Sequence, residues 1–251
     1  VARFRTHQAI VDSLRPEPGD VVLDLGCGNG VTLAIVASRV SGAELVGLDV
    51  DDEGLAEARS WLDRIGAHHR LVHADLDRPL PLPDASVGMV VCHDVLECLA
   101  DPLALVVEAS RVLRPGGRAV WSHVDYDSTA IAAGDPGLTR RIVQASADAP
   151  QGPGARSDGQ MGRKLAALVA RSPLRREEVG AHVLVATGLE GPARFRVRDM
   201  AAAVRRAAGA RAVDVSPEEV DRWEEAVQAA DATGDFFYAQ TAYIVTSMKP
   251  A

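Results

Sequence analysis

The chain has 251 residues, 47% of them hydrophobic and 25% charged, with a formal net charge of −8. This length and balance suit one elaborated domain with a buried core and exclude a disordered chain. The negative charge speaks against a general nucleic-acid binder, which would present a basic face. No apolar run approaches the ~18 residues of a membrane span, so no membrane partner is expected.

In chain order, residues 3–14 place apolar side chains at helical spacing and stop before Pro16 and Pro18, which break helices. This predicts a helix across the start of the domain, with Arg5 and His7 read as surface helix residues. Val21–Thr32, VVLDLGCGNGVT, follows. A short apolar run of β-formers reads as a buried parallel strand. The alternating Gly26, Gly28 and Gly30 allow a tight turn and close approach of a ligand to the backbone. The helix expected over 33–40 then starts with free N–H groups facing that turn. The sequence LVGLDV at 45–50 predicts a second strand ending in Asp49. An acid there, about 20 residues past a glycine loop, is placed to accept hydrogen bonds from ribose hydroxyls. Asp51 and Asp52 are better placed to cap the next helix, expected over 53–65.

A third strand is predicted over 70–74, followed by Asp75 and Leu76, and Pro79, Pro81 and Pro83 force an extended loop. The fourth, over 87–92, runs into His93 and Asp94. A helix over 103–113 is closed by Arg114-Pro115-Gly116-Gly117, read as a turn. The fifth strand, over 118–124, leads to Asp125-Tyr126-Asp127. Beyond it the pattern predicts helices over 138–147, 160–171, 195–208 and 217–230. Strands are predicted over 182–187 and 236–248. Residues 149–159, rich in Pro and Gly, read as a mobile loop. Cys27, Cys92 and Cys98 have no metal-ligand spacing, and no secretory leader is visible. Reduced thiols in a cytoplasmic chain are therefore expected, with Cys98 as a small core residue. The Arg pairs at 140–141, 175–176 and 205–206 read as solvated helix faces rather than a phosphate patch.

Asp24-x-Gly26-x-Gly28-x-Gly30, Asp49, Asp75 and the run from H-x-V-L-E to R-V-L-R-P-G-G occur in that order. Together they resemble the class I S-adenosylmethionine (SAM)-dependent methyltransferases, in particular the small-molecule type related to the ubiquinone and menaquinone C-methyltransferases. The resemblance covers roughly residues 20–124. It implies an α/β fold, a doubly wound, mostly parallel seven-stranded sheet with helical lid insertions. Residues 1–124 would form the SAM-binding core with a covering N-terminal helix. Residues 125–251 would complete the sheet and supply the lid of a single domain. The cofactor would lie on Asp24, Gly26, Gly28, Gly30, Asp49, Val50, Asp75, Leu76 and Cys92, with Val50 as a floor for adenine. Many relatives carry His where this chain has Cys98, so no catalytic role is carried over to it.

These residues all sit at the carboxyl ends of expected strands, where open α/β sheets bind ligands. The methyl of SAM is already activated, so the enzyme must mainly align donor and acceptor. A base is needed when the acceptor carries a proton to be lost. His123, His93 and Asp125 are the candidates, with His123 first, because histidine suits proton transfer near neutral pH. A backbone hydrogen bond for His93 and a helix cap for Asp125 are the plain alternatives. Asp94, Asp125 and Asp127 could instead attract a cationic amine or, with His123, hold a metal; no metal is expected. Tyr126, Trp121, Phe236, Phe237 and Tyr238 are candidate pocket walls, core packing being their commoner fate.

The function expected is methyl transfer from SAM to an O, N or C atom of a small molecule of secondary metabolism. The rivals are another SAM-dependent reaction on this fold, a non-catalytic SAM-binding module, and an NAD-dependent oxidoreductase. The last would need the longer G-x-G-x-x-G spacing.

Overall fold

The computed structural model describes residues 5–149, 157–210 and 212–251. Among them, seven strands form a sheet of order β3-β2-β1-β4-β5-β7-β6. The strands are β1 (Val21–Leu25), β2 (Glu44–Asp49), β3 (His69–His73), β4 (Val87–His93), β5 (Leu113–Ala132), β6 (Arg175–Ala186) and β7 (Phe237–Met248). β1 pairs in parallel with both β2 and β4, β2 with β3, and β4 with β5. The strand order reverses between β1 and β4, the topological switch at which doubly wound sheets bind ligands. The helices are α1 (Arg5–Leu14), α2 (Val31–Arg39), α3 (Asp52–Arg64), α4 (Pro102–Val112), α5 (Pro136–Asp148), α6 (Met161–Ala170), α7 (Gly191–Gly209) and α8 (Pro217–Thr233). The fold class is the α/β arrangement expected, and most elements lie within a few residues of their expected bounds.

The chain divides into two compact units. The first takes in residues 5–123, 164–180 and 243–251, and the second the described residues of 124–163 and 181–242. The core of the first forms where α1 and α2 lay Ile10, Leu14, Leu33 and Val36 against Val22, Leu45, Val91 and Val120 of the sheet. Each is all but fully buried. At ~25 cal/mol per Å² of apolar surface, burying one such side chain stabilises by about 1.5–3 kcal/mol. In the second unit, α5, α7 and α8 close around Ile142, Val197, Val204, Trp223, Val227 and Tyr238. α8 is delimited by its sequence. Ser216 and Glu219 form a reciprocal capping box, Pro217 opens the helix, and Gly234 ends it in the left-handed conformation.

Four expectations need correction, the first being that Arg175 and Arg176 open strand β6 rather than lie on a helix face. Arg114-Pro115-Gly116-Gly117 is not simply a turn, because these residues open β5, a strand 20 residues long. Gly116 N–H donates to the Lys249 carbonyl at 2.9 Å and Lys249 N–H to that of Gly117 at 2.8 Å, so β-type pairing begins early. The Asp125-Tyr126-Asp127 segment is likewise inside β5 and precedes no helix. Cys98 is exposed at the end of a 3-10 turn, Leu96–Cys98, rather than packed in the core. The short helical turn buries Leu96 and Glu97 and leaves Cys98 outward. The centre of the loop expected over 149–159 lies outside the described residues.

Candidate functional site

The glycine loop leaves β1 at Gly26, whose φ is 73°. A Cβ there would overlap the Val95 side chain, so only glycine fits on both conformational and steric grounds. Gly26 and Cys27 N–H both donate to the Leu48 carbonyl, at 2.8 and 3.0 Å, tying the loop to β2. Asp49, the last residue of β2, adds a second tie. Its Oδ2 accepts from Gly28 N–H at 2.7 Å and its Oδ1 from Asp51 N–H at 2.9 Å. The carboxylate is therefore oriented before any ligand arrives, with lone pairs left over for hydroxyl donors. Asp51 caps α3 by accepting from Glu53 N–H. Val50, next to Asp49, is 63% exposed, an apolar surface at the edge of the site.

Asp24 is the unusual group. It is 2% exposed, between Gly47 of β2 and Val91 of β4 in the sheet. No donor among the described residues reaches its carboxylate. Burial, and secondarily the charge of Asp49, raise its pKa to about 8. A cation brought to this edge would relieve both effects. Asp75 and Leu76 follow β3. Asp75 accepts from Asp77 N–H at 3.0 Å and lies 3.6 Å from Arg78, with its side chain more than half exposed. Cys92 is buried in β4, and burial pushes its thiol pKa well up; Cys27 shares that shift for the same first reason. Neither is a reactive thiolate.

A second cluster stands at the ends of β4 and β5, within the same unit. Asp94 has φ 52°, a left-handed backbone for a non-glycine residue, and its N–H donates to the Ser122 carbonyl at 3.1 Å. His93 Nε2 lies 3.4 Å from Asp94 Oδ2. His123 is fully buried, with Nδ1 3.6 Å from Asp94 Oδ1 and Nε2 3.7 Å from Glu97 Oε1. His7 on α1 stacks edge-on to His93, ring centroids 4.9 Å apart, and its Nδ1 is 2.9 Å from Thr32 Oγ1. Val95, the neighbour of Asp94, is the side chain packed on Gly26, which joins this cluster to the glycine loop.

In the second unit, Asp125 is fully buried and gripped by Arg163. Nε donates to Oδ2 at 2.6 Å and Nη2 to Oδ1 at 2.7 Å, and the guanidinium also pairs with Asp127 at 3.2 Å. Asp125 is thus the carboxylate of a two-pronged ion pair, not the helix cap considered above. The same unit holds an open cavity of about 390 Å³, lined among others by Asp127, Thr129, Ile131, Arg140, Val143 and Gln144. Tyr126 lies under the Arg196 guanidinium, 5.9 Å from the ring centroid. Trp121, Phe236 and Tyr238 are core residues and Phe237 is partly exposed. Among the described residues no group of three or more His, Cys, Asp or Glu is arranged to hold a metal ion.

Residues 23–121 match the family described as Methyltransferase domain. Over this stretch the chain is similar to class I SAM-dependent methyltransferase domains. An uncharacterized 37.1 kDa protein of a Streptomyces fradiae transposon is 34% identical over 65% of this chain and 46% of its own length. A probable SAM-dependent methyltransferase of Mycolicibacterium smegmatis is 40% identical over 45% of this chain and 42% of its own. The chain thus spans less than half the length of these curated relatives. A putative methyltransferase of Bacillus halodurans, at 15% identity, shares the fold, with a TM-score of 0.65 over 98% of this chain and all of that one.

The side chains at this edge have the chemistry that SAM would require. The glycine loop leaves room for close approach at Gly28, where a Cβ would meet nothing within 4 Å. Asp49 suits a ribose, Val50 an adenine face, and unpaired Asp24 the positive charge of the methionine portion. Reading the sequence assigned no role to Glu97, Thr32 or Arg163. Glu97 was visible as a lone carboxylate in the apolar run V-L-E-C-L. Arg163 gave no signal, because its partner is 38 residues away.

Proposed function

We propose that this chain transfers the methyl group of SAM to a small molecule. The observation that carries the reading is Asp24, a buried carboxylate without a donor, beside the glycine cradle and the pre-oriented Asp49. That arrangement is electrostatically incomplete until a cation occupies it. SAM supplies a sulfonium with an activated methyl; the chain's part is to bind it, hold the acceptor in line and exclude water. Of the candidate bases, His93 and His123 belong to the cluster packed against the cradle. The net charge of −8 disfavours nucleic acid as acceptor. No helix among the described residues is long and apolar enough to cross a membrane. The same reading takes the acceptor as a compound of secondary metabolism, methylated in the cytoplasm.

Calorimetric titration with SAM, S-adenosylhomocysteine and NAD tests the binding. Micromolar binding of the first two and none of NAD is expected, and the reverse pattern overturns the proposal. Incubation with candidate acceptors then has to release S-adenosylhomocysteine. Conversion of acceptor without it would assign a different reaction to the same site.

A further inference from the structure

His123 stood out in the sequence as the group to take a proton, but its geometry argues otherwise. Its side chain is fully buried, and both ring nitrogens face carboxylates, Asp94 on one side and Glu97 on the other. The histidine has no nitrogen turned to the open edge. Of the three, Asp94 is the member that reaches solvent, with 21% of its side chain exposed against 6% for Glu97. Asp94 is also held in a left-handed conformation of the kind that persists where surrounding structure enforces it. Val95 fixes it against Gly26 of the loop that cradles the donor.

We propose that Asp94 is the catalytic base, that the acceptor it serves is a hydroxyl, and that His123 and Glu97 are positioning residues behind it. This rests on the methyl-transfer reading above. As the hydroxyl oxygen forms its bond to the methyl carbon, its proton passes to Asp94. The carbon–sulfur bond breaks with its electron pair left on sulfur, giving a neutral thioether. The Asp94–His123–Glu97 unit gains that one proton. An amine acceptor suits this edge poorly. Carboxylates beside an amine favour its ammonium form, which has no lone pair to attack with.

The test uses the whole chain with SAM and a series of ring-substituted phenols of graded acidity. Asp94→Asn is the informative variant, because asparagine tolerates the left-handed conformation and the fold is retained. It is expected to lose about 100-fold in kcat on the least acidic phenol. On para-nitrophenol, already ionised at about pH 8, it loses less than about 3-fold because no proton has to be removed. Without SAM turnover, on protein loaded with S-adenosylhomocysteine, Asp94→Asn binds para-nitrophenolate about 10-fold more tightly than the wild type, since a like charge has gone. Glu97→Gln lowers kcat about 10-fold with KM for SAM unchanged, and Glu97→Asp restores part of it. An equal loss for Asp94→Asn across the series, or equal phenolate affinities, overturns the proposal. So does a chain that binds SAM and turns over no hydroxyl acceptor. Failure to bind SAM at all counts against the function proposed above instead.

Discussion

At the scale of single residues, Asp24 and Gly26 make the sharpest predictions. The Asp24 carboxyl ordinarily ionises at 3.8 and in the folded chain at about 8. Between these values the folded protein keeps a proton that the unfolded chain has lost. This group's contribution to stability therefore falls as pH rises from about 4 and levels off above about 8. Asp24→Asn removes that slope. The variant should melt several degrees higher than the wild type at about pH 8 without ligand, and bind SAM at least about 10-fold more weakly, read by thermal melts and calorimetry. Wild-type SAM affinity should rise with pH up to about 8, because binding a cation there displaces a proton. Gly26→Ala places a Cβ on Val95 at a φ of 73°. Backbone strain alone costs about 1–2 kcal/mol, so binding should be lost along with a few degrees of melting temperature. Asp24, Asp49 and the glycines were legible because their spacing is local. The environment of His123 was not, because it depends on which way two carboxylates from a neighbouring strand end point.

At the scale of elements, caps and apolar periods located the helices well, since those signals lie within a few residues of each boundary. In the structure the Ser216–Glu219 capping box fixes the start of α8. Ser216→Ala should destabilise by about 1 kcal/mol in denaturant unfolding and leave SAM affinity unchanged. β5 was underestimated at both ends. Pro115, Gly116 and Gly117 carry turn propensity, and only the pairing with Lys249, far along the chain, makes them strand. The charges of Asp125 and Asp127 similarly read as the end of a strand. Arg163 makes Asp125 tolerable in a buried stretch. Arg163→Met should therefore destabilise on the order of 2–3 kcal/mol, less than for a fully enclosed pair because the guanidinium is half exposed. Adding Asp125→Asn should recover much of that loss in a double-mutant cycle.

At the scale of the whole molecule, the strand order and its reversal between β1 and β4 decide where chemistry happens, because they gather loop residues from distant parts of the chain at one edge. The doubly wound seven-stranded sheet was expected from the resemblance carried by the glycine loop, Asp49 and Asp75; its strand order comes from the structure. The division into two units was not so easily read, since residues 164–180 and 243–251 return to the first unit after the chain has left it. Saturating SAM, at about 100 times its dissociation constant, should stabilise the protein by about 2.7 kcal/mol, visible as a concentration-dependent melting temperature. This dependence on ligand then has a consequence inside a cell. Empty protein lacks the stabilisation that bound SAM adds, and quality-control proteases act on whatever opens most often. The steady-state amount of this chain should follow the supply of its methyl donor, shrinking by faster turnover when methionine is scarce.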